Sequence, residues 1–161
     1  MFSIGLRVST HALCLASPVF KSLFATAATN AVQRDGDNDP QSLVKLPEDD
    51  GDAMFILVNI LHLRNDKLPA RLLPSLLCKI ASLAHKYQCV VAAGRATLQW
   101  FDRLYASSTR VNTWEIIEAA YLLDEAMFFA RFTSRWVLEQ SVYRRQVPAA
   151  TTSDTMKLAR K

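Results

Sequence analysis

Residues 2–9 alternate apolar side chains with small or polar ones, and this spacing predicts a strand with one buried face. The apolar members of that face are Phe2, Ile4, Leu6 and Val8. Residues 10–16 change to helical spacing, and Ser17 followed by Pro18 is typical of a new helix start, because serine can cap and proline needs no N–H there. The apolar positions of this second helix are Val19, Phe20, Leu23 and Phe24.

Further along the chain, the pattern predicts a loop, a short strand and five more helices. Residues 26–42 are rich in Asp, Asn, Gly and Thr and predict a loop, and residues 43–46 predict a strand that Pro47 ends. Acidic residues then crowd a helix start, where the helix dipole favours them. The last long helix is predicted to be capped by Asp124. Its inward side chains are expected to be Phe128, Phe129, Phe132 and Trp136.

The composition is that of one ordered globular domain: 161 residues, half of them apolar and 21% charged. The formal charge of +4 is mildly basic and falls short of a dedicated nucleic-acid binder. Three cysteines, none in a CxxC, favour buried thiols in a reducing compartment over a disulfide framework. No apolar run approaches the roughly 18 residues that would span a bilayer.

Five segments in fixed order carry a family resemblance. Residues 11–24 contain a helix that runs into SPVF and a second helix, and residues 43–64 place a short strand and an acidic turn before AMFILVNILHLR. Two closing helices extend from IASLAHKYQC to WFDRLY, and the last segment is IIEAAYLLDEAMFFARFTSRWVLEQ. Together these resemble a BTB/POZ domain with the helical extension of many fungal members. The resemblance implies an α+β, predominantly helical fold: a helical cluster with a small β-sheet and a C-terminal helical extension.

The resemblance also implies a division of the chain and a function. It divides the chain into a truncated BTB/POZ-like domain (1–106), a helical extension (107–147) and a disordered tail (148–161). It implies self-association or recruitment of a protein partner, in the cytoplasm or nucleus. The family's preceding strand and hairpin are not in this sequence. Some relatives are adaptors for cullin-type ubiquitin ligases, but their hydrophobic-x-Glu motif has no counterpart here, since residues 24–39 contain no Glu.

Candidate chemistry is sparse, and we expect no enzyme activity, no cofactor, no small-molecule substrate and no metal site. His11, His62 and His85 are the only general bases suited to neutral pH, and no GxSxG, GxGxxG or P-loop motif accompanies them. On one helix, Cys78 and His85 would be about 10.5 Å apart along the axis, too far to share a zinc ion. The carboxylate clusters at 49–52 and 124–125 are explained by helix capping.

Two surfaces remain as binding candidates. The first is an apolar N-terminal surface, which would contact a second copy or another protein. It consists of Phe2, Ile4, Leu6, Val19, Phe20, Leu23 and Phe24. The alternative is a basic face on the last helix, suited to nucleic acid or an anionic membrane. It consists of Arg131, Arg135, Arg144 and Arg145. Residues 1–34 also lack Asp and Glu, so a mitochondrial transit segment is an alternative reading of the N-terminus.

Overall fold

The computed structural model describes residues 5–32, 44–107 and 113–146, with side chains for 5–29, 44–107 and 113–140. This part of the chain forms seven α-helices and a short 3₁₀ turn at Asn65–Lys67. The helices are α1 (Thr10–Ala16), α2 (Pro18–Val32), α3 (Gly51–Leu61), α4 (Pro74–Lys86), α5 (Val90–Ala106), α6 (Thr113–Leu122) and α7 (Ala126–Gln146). The expectation of a predominantly helical fold is confirmed.

Polar side chains cap the first three helices. Ser9 Oγ accepts a hydrogen bond from the Ala12 N–H at 3.4 Å, and Ser17 Oγ accepts one from the Phe20 N–H at 3.0 Å. An oxygen of Asp50 accepts from the Ala53 N–H at 3.0 Å. Each bond satisfies an N–H that has no partner inside its own helix. The predicted helix start at Ser17 and Pro18 and the predicted acidic start of α3 are therefore confirmed.

The predicted β-sheet is absent from the described residues, so that part of the fold expectation is wrong. Residues 5–9 and 44–46 have no strand partner, and Leu6, Val8 and Leu46 pack their side chains against the helical core instead. Alternating spacing predicts a buried face, but a strand also needs a neighbour for its backbone N–H and C=O groups. Phe2, Ile4 and Leu43 lie outside the described residues.

Two further boundaries differ from the prediction. Helix α2 continues to Val32, into the segment predicted as a loop, because alanine, the strongest helix former, dominates residues 25–31. Asp124 does not cap α7. It adopts a left-handed backbone conformation (φ 57°), and its N–H bonds to the Tyr121 carbonyl, so it closes α6. Helix α7 begins two residues later, at Ala126.

All seven helices contribute to one hydrophobic core. Large buried members, one from each helix in order, are Leu13, Phe20, Leu57, Ile80, Trp100, Ile116 and Phe128. Helix α6 packs closely against both α4 and α7. The predicted domain (1–106) and its predicted extension (107–147) thus share this core. The predicted tail lies outside the described residues.

Candidate interaction surfaces

The N-terminal apolar surface is only partly available to a partner. The side chain of Phe20 is 2% exposed, and its ring stacks on that of Tyr87, with centroids 4.2 Å apart. Phe20 is therefore a core residue, and its assignment to a contact surface is corrected. Leu6, Val19, Leu23 and Phe24 are half-buried. Phe2 and Ile4 lie outside the described residues.

Polar contacts hold α1 and α2 against the rest of the chain. Ser17 Oγ donates a hydrogen bond to the Tyr87 carbonyl at 2.5 Å. The Ser9 N–H donates to His62 Nε2 at 2.9 Å, and His62 Nδ1 lies 2.8 Å from the Val58 carbonyl. These contacts account for His62 as a structural residue.

The acidic residues before α3 form ion pairs with α4. Lys86 Nζ lies 2.6 Å from Asp49, whose side chain is 4% exposed, and Lys79 Nζ lies 2.7 Å from Asp50. The Tyr87 hydroxyl also donates to Asp49. Burial and this bond raise the pKa of Tyr87, whereas the hydrogen bond from Lys79 lowers the pKa of Asp50. The cluster is satisfied internally and needs no ligand.

The cysteines and remaining histidines do not assemble a reactive centre. Burial raises the pKa of the Cys78 and Cys89 thiols to about 11, and the nearby Glu118 carboxylate adds to the effect at Cys78. Thiols with such pKa values stay protonated near neutral pH and react poorly. His11 and His85 are exposed. Among the residues with described side chains, no group of three or more His, Cys, Asp or Glu could hold a metal ion.

The two described arginines of the basic face make contacts within the chain. Arg135 Nε lies 3.0 Å from Glu139, and its Nη1 donates to the carbonyls of Tyr105 and Ser107, at the end of α5. The guanidinium of Arg131 lies over the Tyr105 ring, 5.1 Å from its centroid. These residues line an open groove of about 500 Å³ between α5 and α7. The side chains of Arg144 and Arg145 lie outside the described part.

A different surface carries the two most exposed aromatic side chains of the described residues, Trp114 and Tyr121. We define the outer aromatic face as Trp114 and Tyr121 of α6 with Phe129 and Trp136 of α7. The Trp114 and Trp136 rings lie 6.4 Å apart between centroids, and the Tyr121 and Phe129 rings 6.3 Å apart. Because these pairs join the two helices in opposite order, α6 and α7 are antiparallel. Trp114 is 61% exposed and Tyr121 is 73% exposed.

Two members of this face, Phe129 and Trp136, are predicted by the sequence pattern to face the core. Phe128 and Phe132 are buried as predicted, but Phe129 and Trp136 are 38% and 37% exposed, so their inward assignment is corrected. The spacing of the aromatic residues in the sequence indicates this second face. Trp114 and Tyr121 are seven residues apart, as are Phe129 and Trp136, and seven residues are close to two helical turns. Each helix therefore has an aromatic stripe besides its core stripe.

Comparisons with family models, curated proteins and solved structures found no match to this chain. Within the described residues, no helix has both the length and the apolar character needed to cross a membrane.

Proposed function

We propose that this chain is a non-enzymatic protein-interaction module that binds its partner through the outer aromatic face. The proposal is supported mainly by the exposure of these four aromatic rings on one side of the α6–α7 hairpin. Aromatic residues such as Trp and Tyr dominate the binding energy of protein interfaces because they bury a large area with few rotatable bonds. An exposed apolar patch of this kind is typical of an interaction site.

The size of the face supports binding to a protein. An aromatic side chain has about 150–250 Å² of surface, so the four exposed fractions add up to roughly 400 Å². That lies within the roughly 300–600 Å² of the largest apolar patch on a typical monomer, a patch that is often functional. Burial of such an area gives a large gross gain, at about 25 cal/mol per Å², part of which association entropy offsets.

The BTB/POZ assignment is part of the same proposal, as is the absence of catalysis. The BTB/POZ assignment is supported by the order of the helical segments in the sequence and by a helical core that includes the proposed extension. On this assignment the outer aromatic face belongs to the extension. The half-buried residues Leu6, Val19, Leu23 and Phe24 stay a predicted second contact, for self-association. Both surfaces would serve in the cytoplasm or nucleus.

Site-specific photo-crosslinking in cells tests the proposal. A photoreactive phenylalanine analogue replaces Tyr121 in one variant and Leu63, which is 82% exposed after α3, in a matched control. We expect a discrete crosslinked protein from position 121 only, and we expect a second substitution, Trp114→Ala, to reduce its yield. Equal crosslinking from both positions, or none from position 121, would refute the outer aromatic face as the contact surface.

A further inference from the structure

We infer that the outer aromatic face recognises a cationic segment of another protein, in which an arginine or lysine lies against Trp114 or Tyr121 beside the Glu118 carboxylate. This inference rests on the proposed function and specifies the chemistry of the partner.

Glu118 lies between Trp114 and Tyr121 along α6. It follows Trp114 by four residues and precedes Tyr121 by three, and residues at these spacings are neighbours on a helix surface. Trp114 and Tyr121 themselves are about 10.5 Å apart along the helix axis, so one long side chain can reach the carboxylate and either ring. Glu118 is exposed, and its carboxylate lies close enough to Cys78 to raise the pKa of that thiol.

The charge on this side of the molecule is negative and is not neutralised within the described residues. Helix α6 contains Glu115 and Glu118 and no Lys or Arg. No salt bridge to either carboxylate is formed by a described residue. The two lysines of α4 are engaged elsewhere, by Asp49 and Asp50. Glu115 lies in the first turn of α6, where the helix dipole accounts for it, but Glu118 lies beyond that turn.

Aromatic rings beside an uncompensated carboxylate form a site that suits a cation. A guanidinium or ammonium group is attracted to the faces of Trp and Tyr, and an arginine can stack on a ring while its N–H groups bond a carboxylate. Apolar neighbours of that cation in the partner would cover Phe129 and Trp136. The chain as a whole has a net charge of +4, so this negative face is a local feature of a basic protein.

A second copy of the chain fits the face less well, for two reasons. In a symmetric dimer the same patch meets itself, so two faces that each carry a negative charge would be set together. In addition, the roughly 400 Å² of exposed aromatic surface is about half of the roughly 800 Å² that each partner contributes to a standard interface. A short segment of another protein needs less area and supplies the opposite charge.

Selection from a random library of 12-residue peptides tests the inference. Peptides are selected on the wild-type chain and counter-selected on Tyr121→Ala, a substitution at an exposed position that should leave the fold intact. We expect the surviving peptides to be enriched in Arg or Lys. Peptides that need Tyr121 but carry no excess of positive charge would overturn the inference and leave the proposed function standing. Failure to find any peptide that needs Tyr121 would count against both.

Affinity measurements on one selected peptide then separate the two parts of the site. Trp114→Ala should weaken binding at least tenfold, as expected for an interface anchor. Glu118→Gln should weaken it about two- to fivefold, the range for an exposed charge pair, and this difference should shrink as salt is raised. The matched control is Asp66→Asn, on the turn that packs against α3, which should leave affinity unchanged. Equal effects of Glu118→Gln and Asp66→Asn would contradict a role for Glu118.

Discussion

The Phe20→Ala substitution measures how firmly α2 is fixed to the core. Phe20 is 2% exposed and lies between two other rings, with its centroid 4.2 Å from that of Tyr87 and 6.0 Å from that of Phe24. Removing a buried phenylalanine ring loses its transfer free energy and leaves a cavity, which together cost about 3–5 kcal/mol. We expect that loss in the free energy of unfolding, and a fall in melting temperature on the order of 10 °C.

Urea unfolding followed by circular dichroism gives the value, with Leu15→Ala as the control. Leu15 lies on α1 and is 77% exposed, so its truncation should change the free energy of unfolding by less than about 0.5 kcal/mol. If the two variants were equally stable, Phe20 would not be enclosed by its own chain. It would then return to the set of contact residues expected from the sequence.

Three further predictions concern polar groups and thiols. The pKa of Asp50 is lowered, so the stability that its charge contributes is present above its ordinary pKa of 3.8 and is lost as pH falls through the lowered value. The free energies of unfolding of the wild type and of Asp50→Asn, which keeps a capping residue, should therefore become equal at acid pH. A difference in free energy that grows as the pH falls would contradict a stabilising role for the Asp50 charge. The Thr133 hydroxyl is buried with no hydrogen-bond partner among the described residues, so Thr133→Val should be neutral or up to about 1 kcal/mol more stable in urea unfolding. A clear loss of stability would reveal a partner for that hydroxyl. Cys78 and Cys89, with pKa values of about 11, should react with a thiol reagent at pH 8 far more slowly in the folded chain than in urea. The Cys14→Ser variant contains only these two thiols, and its rapid labelling in the folded state would refute this prediction.

Much of the helical fold could be predicted because it is encoded locally. Ser17, Pro18 and the acidic residues before α3 act within one turn of the helices they begin, so the sequence alone reveals them. The sheet could not be excluded in the same way. Residues 5–9 have strand-like spacing, but a strand depends on hydrogen bonds to a segment far along the chain.

The outer aromatic face was harder to predict than the fold, because hydrophobicity does not tell which side of a helix meets the core. Phe128 and Phe129 are adjacent and identical in type, yet the first is 1% exposed and the second is 38% exposed. Helix α7 packs Phe128 against Phe101 of α5 and turns Phe129 toward Tyr121 of α6. That distinction comes from the position of α6 and α5 around α7, which the sequence pattern leaves open.

Tyr121, the most exposed ring of the outer aromatic face, is expected to be displayed for a partner and to contribute little to folding. The free energy of unfolding of Tyr121→Ala, compared with Tyr87→Ala, tests it with two residues of one type. Tyr121 buries only about 50 Å² of its side chain, worth about 1.3 kcal/mol at most, whereas Tyr87 is 2% exposed. We expect a loss of about 1 kcal/mol for Tyr121→Ala and at least 3 kcal/mol for Tyr87→Ala. Equal losses would show that Tyr121 stabilises the core and is not displayed for a partner.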